Sequence, residues 1–179
     1  MVEVLRVGRR PTAGRRTLTF DPDTGLIARE HYDAIPTGYI IERFGRPRGP
    51  VALTFDDGPD PRWTGRILDI LKAKQAPATF FVIGENMQRN PDLVTREVRE
   101  GHEVGSHTWT HPNIAETPLS ETKVELNATQ RLFEVLTGRS MRLFRPPYFG
   151  DAEPSTPAEV MPLVTAQRLG YLTVGLRGI

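Results

Sequence analysis

From residue 51 onward the chain alternates short, strand-like apolar runs with longer amphipathic segments, and this pattern constrains its fold more than any other feature. VALTF (51–55), ATFFVI (78–83), HEVGSH (102–107), MRLF (141–144) and YLTVGL (171–176) have the length and residue types of strands. Between the first two, residues 64–75 place Ile67, Leu68 and Leu71 on one helical face. Asn90-Pro91 reads as an N-cap followed by proline at the first helical position, opening a helix that runs to Glu100 and stops at Gly101. Ser120 is expected to cap a long helix through Thr137, ended by Gly138, and residues 157–169 form a further helix before Gly170. Strands separated by helices of this length predict a parallel sheet with crossover helices. The unbroken apolar runs fit strands buried on both faces. In such folds chemistry gathers at the carboxyl ends of the strands. Asp56-Asp57, His107 and Arg145–Tyr148 all fall at such ends.

Residues 1–45 read differently. Pro11, Pro22, Gly25, Pro36 and Gly38 interrupt any periodicity, so this stretch is expected to be an irregular lead-in or linker with one short strand at 37–43. Arg6, Arg9, Arg10, Arg15 and Arg16 make it basic. No aromatic residues interleave with them, so a solvated arm is expected there rather than a nucleic-acid site. Asp21 and Asp23 in FDPDTG lack the later ligands of a calcium loop and read as a turn. The region with the strand–helix pattern is then 46–179. The whole chain has 179 residues, 38% of them apolar and 25% charged, with a net charge of +1, which suits one globular domain with no polyanion partner. Without cysteine there are no disulfides, thiolate nucleophiles or Cys-ligated metals. No run approaches the roughly 18 apolar residues of a membrane span, and the first residues lack the apolar core of a secretory signal. Either the protein is cytoplasmic or targeting signals lie elsewhere in a longer protein.

Three groups of residues could carry chemistry. Adjacent carboxylates at Asp56 and Asp57 fit either a turn before Gly58-Pro59 or an active site. His107 and His111 form an H-x3-H pair, which on a helical turn would put both imidazoles on one face, able to grip one metal. A hydrolytic zinc site wants three protein ligands and an open position, so either Asp57 or Asp56 could complete it, leaving the other as general base. Arg145-Pro146-Pro147-Tyr148 is either a rigid turn with an exposed arginine or a stiffened loop that aims a backbone N–H at a ligand.

Taken in order, T-F-D-D-G-P (54–59), H-T-W-T-H (107–111) and R-P-P-Y (145–148) resemble the first three motifs of the polysaccharide deacetylases. That family includes chitin, chitooligosaccharide (NodB-type) and peptidoglycan N-acetylglucosamine deacetylases. A-T-F-F-V-I-G and G-H-E-V-G-S-H are also similar to its core, and the resemblance covers roughly residues 50–179. It implies a distorted (β/α) barrel and a divalent metal held by Asp57, His107 and His111. That metal is usually Zn2+, with Co2+, Ni2+ or Mn2+ as alternatives. It further implies Asp56 as the base that deprotonates the attacking water, Arg145 as the residue steadying Asp56, and the N–H of Tyr148 as an oxyanion donor. The substrate would be an N-acetylated glycan met at the cell envelope or outside the cytoplasm, and the products acetate and an amino sugar. Trp109, Pro147, Tyr148 and Phe149 are expected sugar contacts, with packing the competing reading for the aromatic ones.

The resemblance breaks off at the family's last motifs. The four histidines are His31, His102, His107 and His111, so the late histidine that protonates the leaving amine has no counterpart. The barrel is therefore expected to be incomplete at its carboxyl end, the chain to be a piece of a larger multidomain protein, and the polypeptide to bind zinc but deacetylate poorly alone. Two other readings compete: a metal-dependent amidohydrolase acting on a small non-sugar amide, and a non-catalytic glycan-binding remnant.

Overall fold

A computed structural model describes residues 2–44, 52–148 and 156–176. The chain divides into two compact units, Met1–Arg6 with Arg43–Ile179, and Val7–Glu42. Its elements in order are β1 (Val2–Arg9), β2 (Arg15–Phe20), β3 (Ile27–Ala34), β4 (Ile40–Phe44), β5 (Leu53–Gly58) and α1 (Thr64–Lys74). There follow β6 (Ala78–Val82), α2 (Gly84–Arg89), α3 (Pro91–Arg99), β7 (Glu103–Ser106), α4 (Leu119–Thr137), β8 (Leu143–Phe144), α5 (Pro157–Arg168) and β9 (Leu172–Leu176).

In the larger unit, β5, β6, β7, β8 and β9 lie side by side in sequence order, each pair parallel, with helices in every crossover. This is the α/β arrangement expected from the alternation of strands and helices. One departure concerns β1, which adds to the far side of β9 and runs antiparallel, pairing Val4 with Val174, so the sheet is mixed rather than all parallel. Among the described residues the sheet is open, with β5 as a terminal strand. One face is covered by helices. Leu68 and Leu71 of α1, Met87 of α2, Val94 of α3, and Leu126 and Phe133 of α4 form a core with Phe80, Val82, Val104 and Phe144 of the strands. Each large side chain buried this way contributes roughly 1.5–3 kcal/mol. On the opposite face Phe81 is also fully buried, with a Phe81 ring carbon 2.7 Å from where a Cβ on Gly105 would stand. A side chain at position 105 would displace that ring, which accounts for the glycine in the middle of β7.

The helices fall within a residue or two of expectation, with three differences. Ser120 lies inside the first turn of α4, whose N-cap is Pro118. Short α2 was not expected. The strand expected to end before Asp56 instead runs through Asp56 and Asp57 to Gly58. At α5 a capping box joins Thr156 and Glu159, each side chain bonding the other's backbone N–H.

The smaller unit corrects the reading of residues 1–45 as irregular with one strand. It holds the antiparallel pair β2–β3, joined by a turn in which Asp21 Oδ1 accepts from the N–H groups of Asp23 and Thr24. FDPDTG is thus a turn, as expected. Arg16 and Arg15 are not a loose arm: Arg16 pairs with Glu30 at 2.8 Å and Arg15 with Asp33 at 3.6 Å across the two strands. Every residue of β3 is exposed, so neither face carries the apolar alternation by which strands are recognised in sequence.

Candidate metal centre

The site is built on the carboxyl ends of β5, β7 and β8. Successive residues of a strand point to opposite faces, so Asp56 and Asp57 could not both serve one site in a regular strand. A bulge solves this. Asp56 pairs with Phe81 and Gly58 with Val82, which leaves Asp57 as the extra residue, with φ 66°. The bulge is held by Asn86 Nδ2, which donates to the Asp57 carbonyl at 2.9 Å, and by Ile83 N–H, which donates to Gly58 O at 2.9 Å.

Released from the strand's alternation, Asp57 Oδ1 stands 3.4 Å from His107 Nε2 and 3.2 Å from His111 Nε2. Each of the three residues offers one ligand atom, and these lie within 4.8 Å of one another. Ligands bound to zinc at about 2.0–2.2 Å in tetrahedral geometry are separated by about 3.3 Å, so the set fits one small divalent cation. The protonation of His107 suits this. Its Nδ1 lies 2.6 Å from Arg145 O, and a carbonyl only accepts, so Nδ1 carries the proton and Nε2 keeps its lone pair for a ligand. Burial is the largest influence on His107 and holds it below the usual histidine range, against the raising effects of the Arg145 carbonyl, Asp56 and Asp57. Asp57 is 66% exposed, which leaves the cluster open to solvent on one side.

The H-x3-H pair meets the cluster, but not on a helical turn. Residues 107–111 form a loop in which Thr108 (φ 67°) and His111 (φ 61°) are left-handed, a conformation that excludes an α-helix. The loop is anchored by Gly84 N–H and Glu85 N–H, which donate to the carbonyls of Thr108 and Trp109.

Arg145 is neither exposed nor part of a mere turn. It is 1% exposed, and Nη1 donates to Asp56 Oδ1 at 2.6 Å and to Thr54 Oγ1 at 3.0 Å, while the guanidinium lies 4.1 Å from the centre of the Phe81 ring. Asp56 is thereby held beside the three-residue cluster. Pro146 and Pro147 are buried, whereas Tyr148, at φ 57°, is 72% exposed with its ring 5.0 Å from that of His111. Trp109 is half-buried and packs on Gly84, where a Cβ would come within 2.3 Å of the indole. Phe149 lies outside the described residues. His102 is structural: its Nδ1 accepts from the Ala78 N–H at 3.2 Å and its ring packs edge-on against Phe80. It lines a cavity of about 620 Å³ with Leu71, Pro77 and Glu100, at the amino ends of β6 and β7, whereas the cluster sits at the carboxyl ends.

Sequence reading missed Thr54, Asn86 and Glu125. Of these, Thr54 lay in view as the first residue of T-F-D-D-G-P but was given no role, and Glu125 left a trace by flanking the buried stripe Thr122, Leu126, Thr129 and Phe133 of α4. Its carboxylate accepts from the N–H groups of Trp109 (2.7 Å) and Thr110 (2.8 Å).

The chain is similar to known proteins. The family model described as polysaccharide deacetylase matches residues 45–163. Over 100 residues the chain is 45% identical to the peptidoglycan-N-acetylmuramic acid deacetylase PdaC of Bacillus subtilis, covering 56% of this chain and 21% of that protein. It is 39% identical over 117 residues to a chitooligosaccharide deacetylase of Bradyrhizobium, covering 64% of this chain and 53% of that one. The solved Bc1960 peptidoglycan N-acetylglucosamine deacetylase superposes with a TM-score of 0.61 at 37% identity, over 68% of this chain and 54% of that one. The chain thus spans about a fifth to a half of the length of these relatives.

Proposed function

Because the chain belongs to the polysaccharide deacetylase family, we propose that it is a metal-dependent hydrolase that removes N-acetyl groups from N-acetylglucosamine-containing glycans and releases acetate. The observation that carries this reading is the Asp56–Arg145 pair, 2.6 Å apart, held beside the Asp57, His107 and His111 cluster. Two imidazole nitrogens and one carboxylate oxygen favour zinc among the common divalent ions. When bound, such an ion supplies Lewis-acid activation of water and of the acetyl carbonyl.

The chain's own residues supply the attack and the charge stabilisation, and collapse of the adduct then breaks the C–N bond, with the proton taken up by Asp56 passed to the departing amine. Asp56 takes the proton of the attacking water through the oxygen not engaged by Arg145. The guanidinium, buried and stacked on Phe81, fixes the carboxylate in one orientation and keeps an opposite charge against it. As the acetyl carbon becomes tetrahedral, negative charge develops on its oxygen. The N–H of Tyr148, following two residues without a donor, is the backbone group offered to it. The exposed Tyr148 ring beside His111 offers a flat apolar surface to a sugar ring. We read residues 46–179 as the region carrying this chemistry. Peptidoglycan and chitooligosaccharide, on which the relatives named above act, are the substrates to try first, and the former would be met at the cell envelope.

The test is acetate release from chitooligosaccharide and from peptidoglycan by zinc-loaded protein and by Asp56→Asn. We expect slow release from at least one glycan, since the late histidine has no counterpart in this sequence, and a further fall of roughly 10²–10⁴-fold in the variant with zinc binding retained. Release from small non-sugar amides alone, or an unchanged rate in Asp56→Asn, would refute the reading.

A further inference from the structure

We propose that Glu125 is a positioning residue for the metal centre, clamping the His107–His111 loop so that His111 is aimed at Asp57. The inference rests on the metal reading given above and adds a residue from outside the three motifs.

The loop needs a clamp. It carries two left-handed non-glycine residues, Thr108 and His111, within five positions, a conformation that persists only where surrounding contacts dictate it. The two histidines are not equally secured. The His107 ring is fixed by its own bond from Nδ1 to Arg145 O, whereas among the described residues the His111 ring has only its Nε2 contact with Asp57, itself 66% exposed, and packing against His107 and Tyr148. The aim of His111 therefore depends on where the backbone of the loop holds it.

Glu125 fixes that backbone from across the structure. Its Oε2 accepts the two consecutive N–H groups at the middle of the loop, Trp109 at 2.7 Å and Thr110 at 2.8 Å, and its Oε1 meets Thr110 Oγ1 at 2.8 Å. These are short, charge-assisted bonds from a half-buried side chain on the long helix α4. The carbonyls of Thr108 and Trp109 are taken by α2, so the loop is gripped from two helices at once. Glu125 is not one of the three clustered ligand residues, so removing it removes no ligand.

The geometry makes a specific distinction between substitutions. In Glu125→Gln the amide oxygen can take the place of Oε2 and accept both N–H groups, while the NH2 donates to the Thr110 hydroxyl, which can accept. Glu125→Ala leaves both N–H groups without this partner.

The experiment is titration of the metal-free chain and its variants with Zn2+, together with the visible absorption of the Co2+-loaded proteins and thermal melts. We expect Glu125→Ala to bind zinc roughly 10- to 100-fold more weakly and to show a weakened, broadened cobalt band. Glu125→Gln should restore both. If the alanine variant does not fold, Glu125→Asp, one methylene short of the loop, replaces it with the same expected loss. Zinc affinity and cobalt spectrum unchanged in Glu125→Ala, with normal binding by the parent chain, would overturn this proposal alone. No zinc binding by the parent chain would overturn the metal reading and this proposal together.

Discussion

Glu97 lies on the buried face of α3 at 0% exposure, and neither carboxyl oxygen meets a hydrogen-bond partner among the described residues. Burial pushes its carboxyl group up to about 8, from an ordinary value of 4.5. The sign of the consequence follows from proton counting. Between those two values the folded protein keeps a proton that the unfolded chain has released, so stability falls as pH rises. The contribution is intact below the unfolded value and is lost as pH climbs toward the folded one. At pH 7, about two and a half units above the ordinary value, the loss amounts to roughly 3 kcal/mol at about 1.4 kcal/mol per unit. Glu97→Gln keeps the shape and removes the titration. Urea unfolding of both proteins from pH 4.5 to 8.5 should give nearly equal stabilities at the acid end. By pH 7 the variant should be ahead by up to roughly 3 kcal/mol. Comparing the two proteins cancels every other titrating group. A stability difference that does not change with pH, or a variant weaker at pH 7, would refute the reasoning.

Two further outcomes follow from the contacts of the site. Arg145→Met leaves Asp56 without its cation beside a buried apolar patch, and should cost roughly 3–5 kcal/mol in denaturant unfolding. Acetate release should fall with it, while zinc affinity changes far less, because Arg145 contributes only its backbone carbonyl to the metal cluster. Gly84→Ala sets a Cβ 2.3 Å from the Trp109 ring and 3.0 Å from Thr129 Oγ1, so it should destabilise the fold by roughly 1–3 kcal/mol in thermal melts. It should also weaken zinc binding by shifting the loop that carries His111.

Much of the larger unit was legible because its signals are local. The helical stripe of Leu68 and Leu71, the Asn90-Pro91 start of α3 and the glycine after Thr137 each act within a few residues. The meeting of Asp57, His107 and His111 was legible because residues at the carboxyl ends of parallel strands share one edge of the sheet, and the three do converge. What escaped depends on distant or unpatterned contacts. The H-x3-H spacing suggested a helical turn, but the left-handed residues Thr108 and His111 are set by anchors on α2 and α4. Local sequence left Arg145 open between an exposed turn residue and a functional one, and only the resemblance paired it with Asp56, because nothing local shows that Thr54 and Asp56 lie beside it. The β2–β3 pair escaped because β3, exposed along its whole length, carries no apolar alternation, and the antiparallel docking of β1 on β9 joins opposite ends of the chain.

The central claim is that Asp57, His107 and His111 together hold one divalent metal ion. Calorimetric titration of metal-free protein with Zn2+ tests it most directly, run alongside Asp57→Ala, His111→Ala and Asp56→Asn. We expect one zinc per chain in the parent and in Asp56→Asn, and binding weakened by orders of magnitude in the other two. Binding that is undiminished in His111→Ala and Asp57→Ala, or absent from the parent, would contradict the account.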